Sequence, residues 1–253
     1  MDYKQLLEIA KSAALKAGYE IIKIYESGDF SIEAKSDNSP LTRADKAAHL
    51  AIVAELEKSH LPILSEEGKS IPYEERKHWK SFWMIDPLDG TKEFIKKNGE
   101  FTVNIALIEN GKPTLGVVYT PVTKELFWAI SGQGSYKLGF PISVNKKKIS
   151  DKNLKVVASR SHMNEDTEAF IVGLNSPEIV SKGSSLKLLM IAEGQADLYP
   201  RYAPTMEWDT AAAQIIVEEA GGSVTIKDKT DSVIYNKPDL LNPHFLVSGN
   251  IIQ

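Results

Sequence analysis

The stretch Trp83-Met84-Ile85-Asp86-Pro87-Leu88-Asp89-Gly90-Thr91 sets two acids three residues apart around a proline, with no lysine or arginine among them. A second acidic pair follows another short apolar run, Ile63-Leu64-Ser65-Glu66-Glu67-Gly68. Asp209 stands at the head of Trp208-Asp209-Thr210-Ala211-Ala212-Ala213, and Asp45 lies a few residues after Pro40. Each has a plain structural reading: an Asp-Gly turn, a helix N-cap at Asp209, and a first-turn acid favourable to a helix dipole at Asp45. Gathered in one cleft they mean something else. Two carboxylates ~4 Å apart repel by roughly 4 kcal/mol at an effective dielectric of about 20, so three or four must protonate or hold cations. The chain has no cysteine, and its histidines (His49, His60, His78, His162, His244) form no ligand pair. Hard oxygen donors alone select Mg²⁺ or Mn²⁺ over zinc. The expectation is a magnesium cradle.

The elements that must build it follow from pattern. Apolar residues Leu6, Ile9, Ala10, Ala13, Ala17, Ile21, Ile22 and Tyr25 recur at helical spacing over residues 3–26. A second helix is expected from Thr42 to Lys58, and short buried strands at Ile63-Leu64 and Phe82–Ile85. The second strand should stop before Asp86 in a tight turn: Pro87 fixes its φ and lacks an N–H, and Gly90 permits geometry closed to other residues. Asp86, Asp89 and the Leu88 carbonyl can then converge, with Thr91 as N-cap of a following helix.

Phe101–Glu109 and Pro113–Thr120 flank Asn110-Gly111, a strong hairpin signal, and Glu125–Ile130 and Gly134–Leu138 continue the meander. Lys146-Lys147-Lys148 reads as a solvated connector. Beyond it, strands at 154–158, 178–181, 197–199 and 223–226 alternate with helices at 165–174, 185–193 and 209–219, an α/β pattern. We therefore expect two parts: residues 1–145, an α+β part with most of the acids, and residues 146–253, an α/β part carrying Asp209.

A chain of 253 residues with net charge −4, 42% hydrophobic and 25% charged, has an ordinary globular composition. That charge argues against gripping a nucleic-acid polymer through its phosphates. The charge-studded N-terminus has no apolar stretch long enough for a signal peptide or membrane span. Cytoplasmic is the default, with peripheral membrane association compatible; monomer and homodimer are both open.

Ile85-Asp86-Pro87-Leu88-Asp89-Gly90-Thr91, together with Trp208-Asp209-Thr210-Ala211-Ala212 and Glu218-Glu219-Ala220-Gly221-Gly222, resembles the two signature motifs of the inositol monophosphatase family of lithium-sensitive, magnesium-dependent phosphatases. Asp37-Asn38-Ser39-Pro40-Leu41-Thr42, Ser65-Glu66-Glu67 and Gly183-Ser184-Ser185-Leu186-Lys187 continue the match in order along nearly the whole chain. Ala192–Arg201, Pro204–Asp209, Ala158–His162 and Leu241-Asn242-Pro243 are most similar to the family's bacterial 3′(2′),5′-bisphosphate nucleotidases. The resemblance implies a layered αβαβα sandwich. It also implies hydrolysis of the 3′-phosphate of adenosine 3′,5′-bisphosphate (PAP) to AMP, and of its 5′-phosphosulfate analogue PAPS, within sulfate assimilation. The alternative is an inositol monophosphatase or broad sugar-phosphate phosphatase that accepts fructose 1,6-bisphosphate.

By the same resemblance, Glu66, Asp86, the Leu88 carbonyl, Asp89 and Asp209 would hold two or three Mg²⁺ ions, with Mn²⁺ able to substitute and Li⁺ inhibitory. Asp45 and Thr91 would orient the attacking water. Gly90, Thr91, His162, Ser184, Lys187, Arg201 and Asp209 would meet the substrate. From the residues alone, Lys187 is equally readable as a surface lysine, and Arg201 as a stem packed on aromatics. Ala212-Ala213, where relatives often have Ala-Gly, should be tolerated in a helix. Tyr202-Ala203, replacing a frequent Phe-Gly, leaves the shape of the substrate loop open.

Overall fold

A computed structural model describes residues 1–34, 40–158 and 163–252. Helix α1 (Tyr3–Ser27) begins where the Asp2 carboxylate accepts the N–H groups of Lys4 and Gln5, and stops at Gly28, whose φ is 74°. A two-stranded ribbon, β1 (Glu33–Ala34) and β2 (Pro40–Leu41), leads into α2 (Arg43–Leu56), capped by Thr42 rather than including it. A 3₁₀ turn over Glu57–Ser59 closes α2, so the expected helix ends in a tighter turn.

The central layer is a seven-stranded sheet in sequential order. It contains β3 (Ile63–Ser65), β4 (Ser81–Asp89), β5 (Thr102–Glu109), β6 (Lys112–Thr120), β7 (Glu125–Ile130), β8 (Ser135–Lys137) and β9 (Phe140–Ile142). Only β3 and β4 run parallel, and a short helix, α3 (Tyr73–Arg76), joins them. Asn110-Gly111 links β5 and β6 as the two-residue hairpin expected, with Glu109 opposite Lys112. Strict alternation serves both faces of this sheet. Trp83 and Ile85 point into the core shared with α1 and α2, while Phe82 and Met84 point into the core on the other side.

The second half supplies β10 (Lys146–Lys148), β11 (Lys155–Val157), α5 (Glu165–Val172), β12 (Glu178–Val180), α6 (Leu186–Ala192), β13 (Leu198–Arg201), α7 (Glu207–Glu219), β14 (Ser223–Ile226), β15 (Phe245–Ser248) and β16 (Asn250–Ile252). Strands β12-β11-β13-β15-β14 form a five-stranded mixed sheet. Helices α6 and α7 lie between the two sheets: Ala211, Ala212, Ile215 and Leu189 share a core with Phe82, Met84 and Val118 on one side and Val224, Phe245 and Val247 on the other. α7 rests on β6 at Gly116, where a Cβ would stand 2.3 Å from the Ala212 carbonyl oxygen. Phe170 and Ile171 of α5 cover the outer face of the five-stranded sheet. The layers are therefore helix, sheet, helix, sheet, helix, as the resemblance implied.

Two local expectations fail. The lysine triplet is not a connector but β10, paired in parallel with β16, Lys146 opposite Asn250. A strand needs only backbone partners and one covered face, so lysines on a solvated edge are compatible with it. And β4 does not stop before Asp86: it runs to Asp89 with a bulge, Asp86 opposite Asn104 and Asp89 opposite Thr102. Pro87, having no N–H, sits in that irregularity, where no ladder donor is needed.

Candidate active site

The bulge aims the motif's acids. Asp86 Oδ1 accepts the Leu88 N–H at 3.0 Å, closing a local turn around Pro87. The strand then breaks at Gly90, whose φ of 98° is left-handed and whose Cβ position would meet the Glu100 carbonyl oxygen at 3.0 Å. Gly90 therefore takes the cap position, and Thr91 is the first residue of α4 (Thr91–Ile95) rather than its N-cap. That frees the Thr91 hydroxyl, which donates to Asp45 Oδ1 at 3.1 Å and lies 3.4 Å from the Leu88 carbonyl oxygen.

Asp45 is buried, 1% exposed, and its other oxygen accepts both the N–H (2.7 Å) and the hydroxyl (2.6 Å) of Thr42. The first-turn capping role and the pairing with Thr91 are thus both real, one on each carboxylate oxygen. Glu66 is brought alongside by its N–H, which donates to the Ile85 carbonyl at 3.2 Å. Ser65 shapes that corner: its hydroxyl contacts His49 Nδ1 at 2.8 Å and accepts the Glu67 N–H at 3.3 Å.

Four acids come within electrostatic reach. Burial first, then Glu66, Asp89 and Asp209, push the Asp86 carboxyl well above the usual range, and a side-chain hydrogen bond with Glu66 adds to this. Asp89 is raised to about 6 by desolvation and by Glu66 and Glu93, against the pull of Lys187 and the Ser185 N–H. Asp209 is raised to about 8 by desolvation and then Asp89, with the Met206 N–H opposing. Asp89 and Asp209 open on a cavity, yet are recessed enough for desolvation to lead in both.

Asp209 is not the N-cap of α7, a place Met206 takes; it is the third helical residue, and its Oδ2 reaches back to accept the Met206 N–H at 2.9 Å while the side chain also faces this cavity. No three histidine, aspartate or glutamate side chains among the described residues stand as a closed ligand set. Asp86, Asp89 and Asp209 each turn one oxygen to a backbone N–H instead.

The donor chemistry nevertheless fits a hard divalent cation. It consists of oxygens only, and Asp86, Asp89 and Asp209 are raised by burial and by neighbouring acids more than Lys187 and Arg201 lower them.

The cavity, about 510 Å³, is lined by cations as well as acids, Lys187 and Arg201 among them. Lys187 is buried, not a surface lysine: burial pulls it down to about 8 against the upward pull of Asp89. Its Nζ donates to the Ser184 carbonyl at 2.7 Å and lies 5.8 Å from the Tyr199 ring centre. Ser184 has a φ of 46°, an uncommon left-handed conformation for a residue with a side chain. Arg201 lines the same cavity, its Nη2 donating to the Pro204 carbonyl at 2.9 Å while its Nε is buried without a partner among the described residues. Beside it Tyr202 is buried edge-on against Phe170, with ring centres 5.9 Å apart, and this sets the path of the loop. Ala212 and Ala213 are buried inside α7. His162 and the Asp37-Asn38-Ser39 stretch lie outside the described residues.

Sequence reasoning missed the polar groups behind the acids. Thr102 and Asn104 are polar residues at period two in the otherwise apolar β5, a signal that was readable. Ser185 was quoted only as part of a motif, yet its N–H donates to Asp89 Oδ2 at 2.5 Å. Asn242, from the Leu241-Asn242-Pro243 stretch, donates through Nδ2 to the Met206 carbonyl at 2.7 Å and to the Thr210 hydroxyl at 3.0 Å, pinning the start of α7.

Among known proteins, the 3′(2′),5′-bisphosphate nucleotidase CysQ of Salmonella typhimurium is 43% identical over 96% of this chain and 99% of its own length. CysQ of Escherichia coli K12 is 42% identical over the same shares. The crystal structure of CysQ from Bacteroides thetaiotaomicron, described as a bacterial member of the inositol monophosphatase family, superposes with a TM-score of 0.88. It is 45% identical and covers 98% of each chain. The inositol monophosphatase of Anabaena shares 27% identity at a TM-score of 0.78, over 99% of this chain and 92% of that one. The inositol monophosphatase family model matches residues 2–250, and with the motifs, the layers and the acid cluster already in place, this chain belongs to the inositol monophosphatase family.

Proposed function

We propose that the protein is a metal-dependent 3′(2′),5′-bisphosphate nucleotidase that removes the 3′-phosphate of PAP, giving AMP and phosphate, and that also accepts PAPS. One observation carries the reading: recessed acids of raised pKa, Asp89 and Asp209, line one cavity together with the cations Lys187 and Arg201. The similarity to CysQ proteins over nearly full length supports the nucleotide as substrate.

Glu66, Asp86, Asp89, Asp209 and the Leu88 carbonyl would hold Mg²⁺. When bound, such ions orient a phosphate ester, acidify a bound water and stabilise the leaving oxygen. The chain's own residues do the rest. Asp45, fixed by Thr42, keeps the Thr91 hydroxyl in place, and that pair accepts hydrogen bonds from the attacking water and takes up its proton. Among the described residues no side chain caps the start of α4, so the backbone N–H groups after Gly90 can meet phosphoryl oxygens there. Lys187 and Arg201, with Ser184, engage the phosphate that is not cleaved, which is how a bisphosphate is preferred. The 510 Å³ cavity suits one small phosphorylated molecule. No helix among the described residues is long and apolar enough to cross a membrane.

A substrate panel with Mg²⁺ tests the reading. PAP should be hydrolysed well ahead of inositol 1-phosphate and fructose 1,6-bisphosphate, and millimolar Li⁺ should inhibit. Equal or reversed rates would move the protein to the broad sugar-phosphate class, and full activity in Li⁺ would refute the lithium expectation.

A further inference from the structure

Behind Asp89 lies a chain of side chains that none of the roles above uses. Thr102 and Asn104 of β5 are 0% and 1% exposed and stand directly opposite Asp89 and Asp86 in the sheet register. Ser185, itself 1% exposed, reaches both: its hydroxyl donates to Asn104 Oδ1 at 2.9 Å, and Thr102 Oγ1 lies 2.7 Å from it. Ser185 has one hydroxyl proton, committed to Asn104, so Thr102 is the donor in the other bond. The Ser185 N–H then donates to Asp89 Oδ2 at 2.5 Å. The preceding residue, Ser184, accepts from Lys187 through its carbonyl.

Packing alone does not account for these side chains. Val103, Ile105, Ala106, Leu107 and Ile108 make the rest of β5 apolar up to Glu109 at its end. At residue 104 an amide is buried with its Nδ2 unpartnered among the described residues, an arrangement that destabilises a core unless the site supplies an acceptor. We propose that Thr102, Asn104 and Ser185 are positioning residues that hold Asp89 in its cation-binding orientation and tie it to the segment bearing Lys187. The inference rests on the metal-holding role assigned to Asp89.

The test uses the full chain with Thr102→Val, which keeps the volume and removes the hydroxyl, and Thr102→Ser, which keeps the hydroxyl. Mn²⁺ binding to the substrate-free protein is read by electron paramagnetic resonance, alongside Tm and the kcat and KM for PAP. Thr102→Val should weaken Mn²⁺ binding about 10-fold and lower kcat with KM little changed, while Thr102→Ser restores both. Wild-type Mn²⁺ affinity in Thr102→Val, or equal losses in Thr102→Val and Thr102→Ser, would overturn the proposal. Should Thr102→Val fail to fold, Ser185→Ala gives the same reading: weakened Mn²⁺ binding supports it and unchanged binding overturns it. Asp86→Asn separates the two levels. Unchanged Mn²⁺ binding there removes the metal reading itself, whereas loss there with none in Thr102→Val or Ser185→Ala removes only the positioning device.

Discussion

Glu207 and Asp209 sit two residues apart in the first turn of α7, and the chain treats their charges in opposite ways. Glu207 is 0% exposed, but it accepts the N–H groups of Asn236 at 2.6 Å and Lys237 at 3.0 Å and pairs with Lys237 Nζ at 2.5 Å. Burial raises its pKa, and Lys237 and those N–H groups pull it back. Asp209 has one N–H and three acidic neighbours, and rises to about 8. The lesson is that burial of a carboxylate does not mark a functional centre. What marks it is burial among acids that the nearby cations, Lys187 and Arg201, do not offset, so that the balancing charge has to come from outside the fold.

The largest effects should break that comparison if it is wrong. Asp209→Asn should reduce PAP turnover by about 10²–10³-fold while leaving Tm in chelator unchanged or higher, since a repelled charge is removed. Glu207→Gln should destabilise by about 3 kcal/mol, because Lys237 loses its partner. Thermal unfolding in EDTA reads both, and a Glu207→Gln protein more stable than Asp209→Asn would end the distinction. Next in size, Lys187→Ala should cut kcat/KM for PAP about 30-fold, the loss of a charged hydrogen bond, and that for a monophosphate much less; a uniform loss would count against Lys187 as the second-phosphate contact.

The smallest effect concerns a third acid, far from the cavity. Lys16 first, then Lys58, hold the Glu55 carboxyl at about 2. Its folded pKa lies below the usual 4.5, so its contribution is present above about 4.5 and lost as pH falls toward 2. Both lysines are more than half exposed, which keeps the contribution below about 1 kcal/mol. Glu55→Gln should therefore flatten the acid limb of the Tm profile slightly, and an unchanged limb would show that the pair contributes nothing.

Several features were legible because they depend on neighbours in sequence. The helical spacing of residues 3–26 returns as α1, and Asn110-Gly111 as a hairpin, since periodicity and turn chemistry act locally. The strand-ending turn at Asp86 was misplaced because bulge placement depends on the partner strand, and β5 is what keeps Asp89 in register with Thr102. Lys146–Lys148 became a strand only because β16 arrives beside it from the far end of the chain.

Residue types alone determined the chemistry available: oxygen donors without sulfur or paired imidazole, placed at strand ends and helix starts. Only the tertiary structure decided which acids meet, that Lys187 is buried beside Asp89, and that Thr102, Asn104 and Ser185 stand behind it. The reason is range. A spacing pattern specifies what a segment can form, but charge repulsion, burial and hydrogen bonding act across segments that only packing brings together.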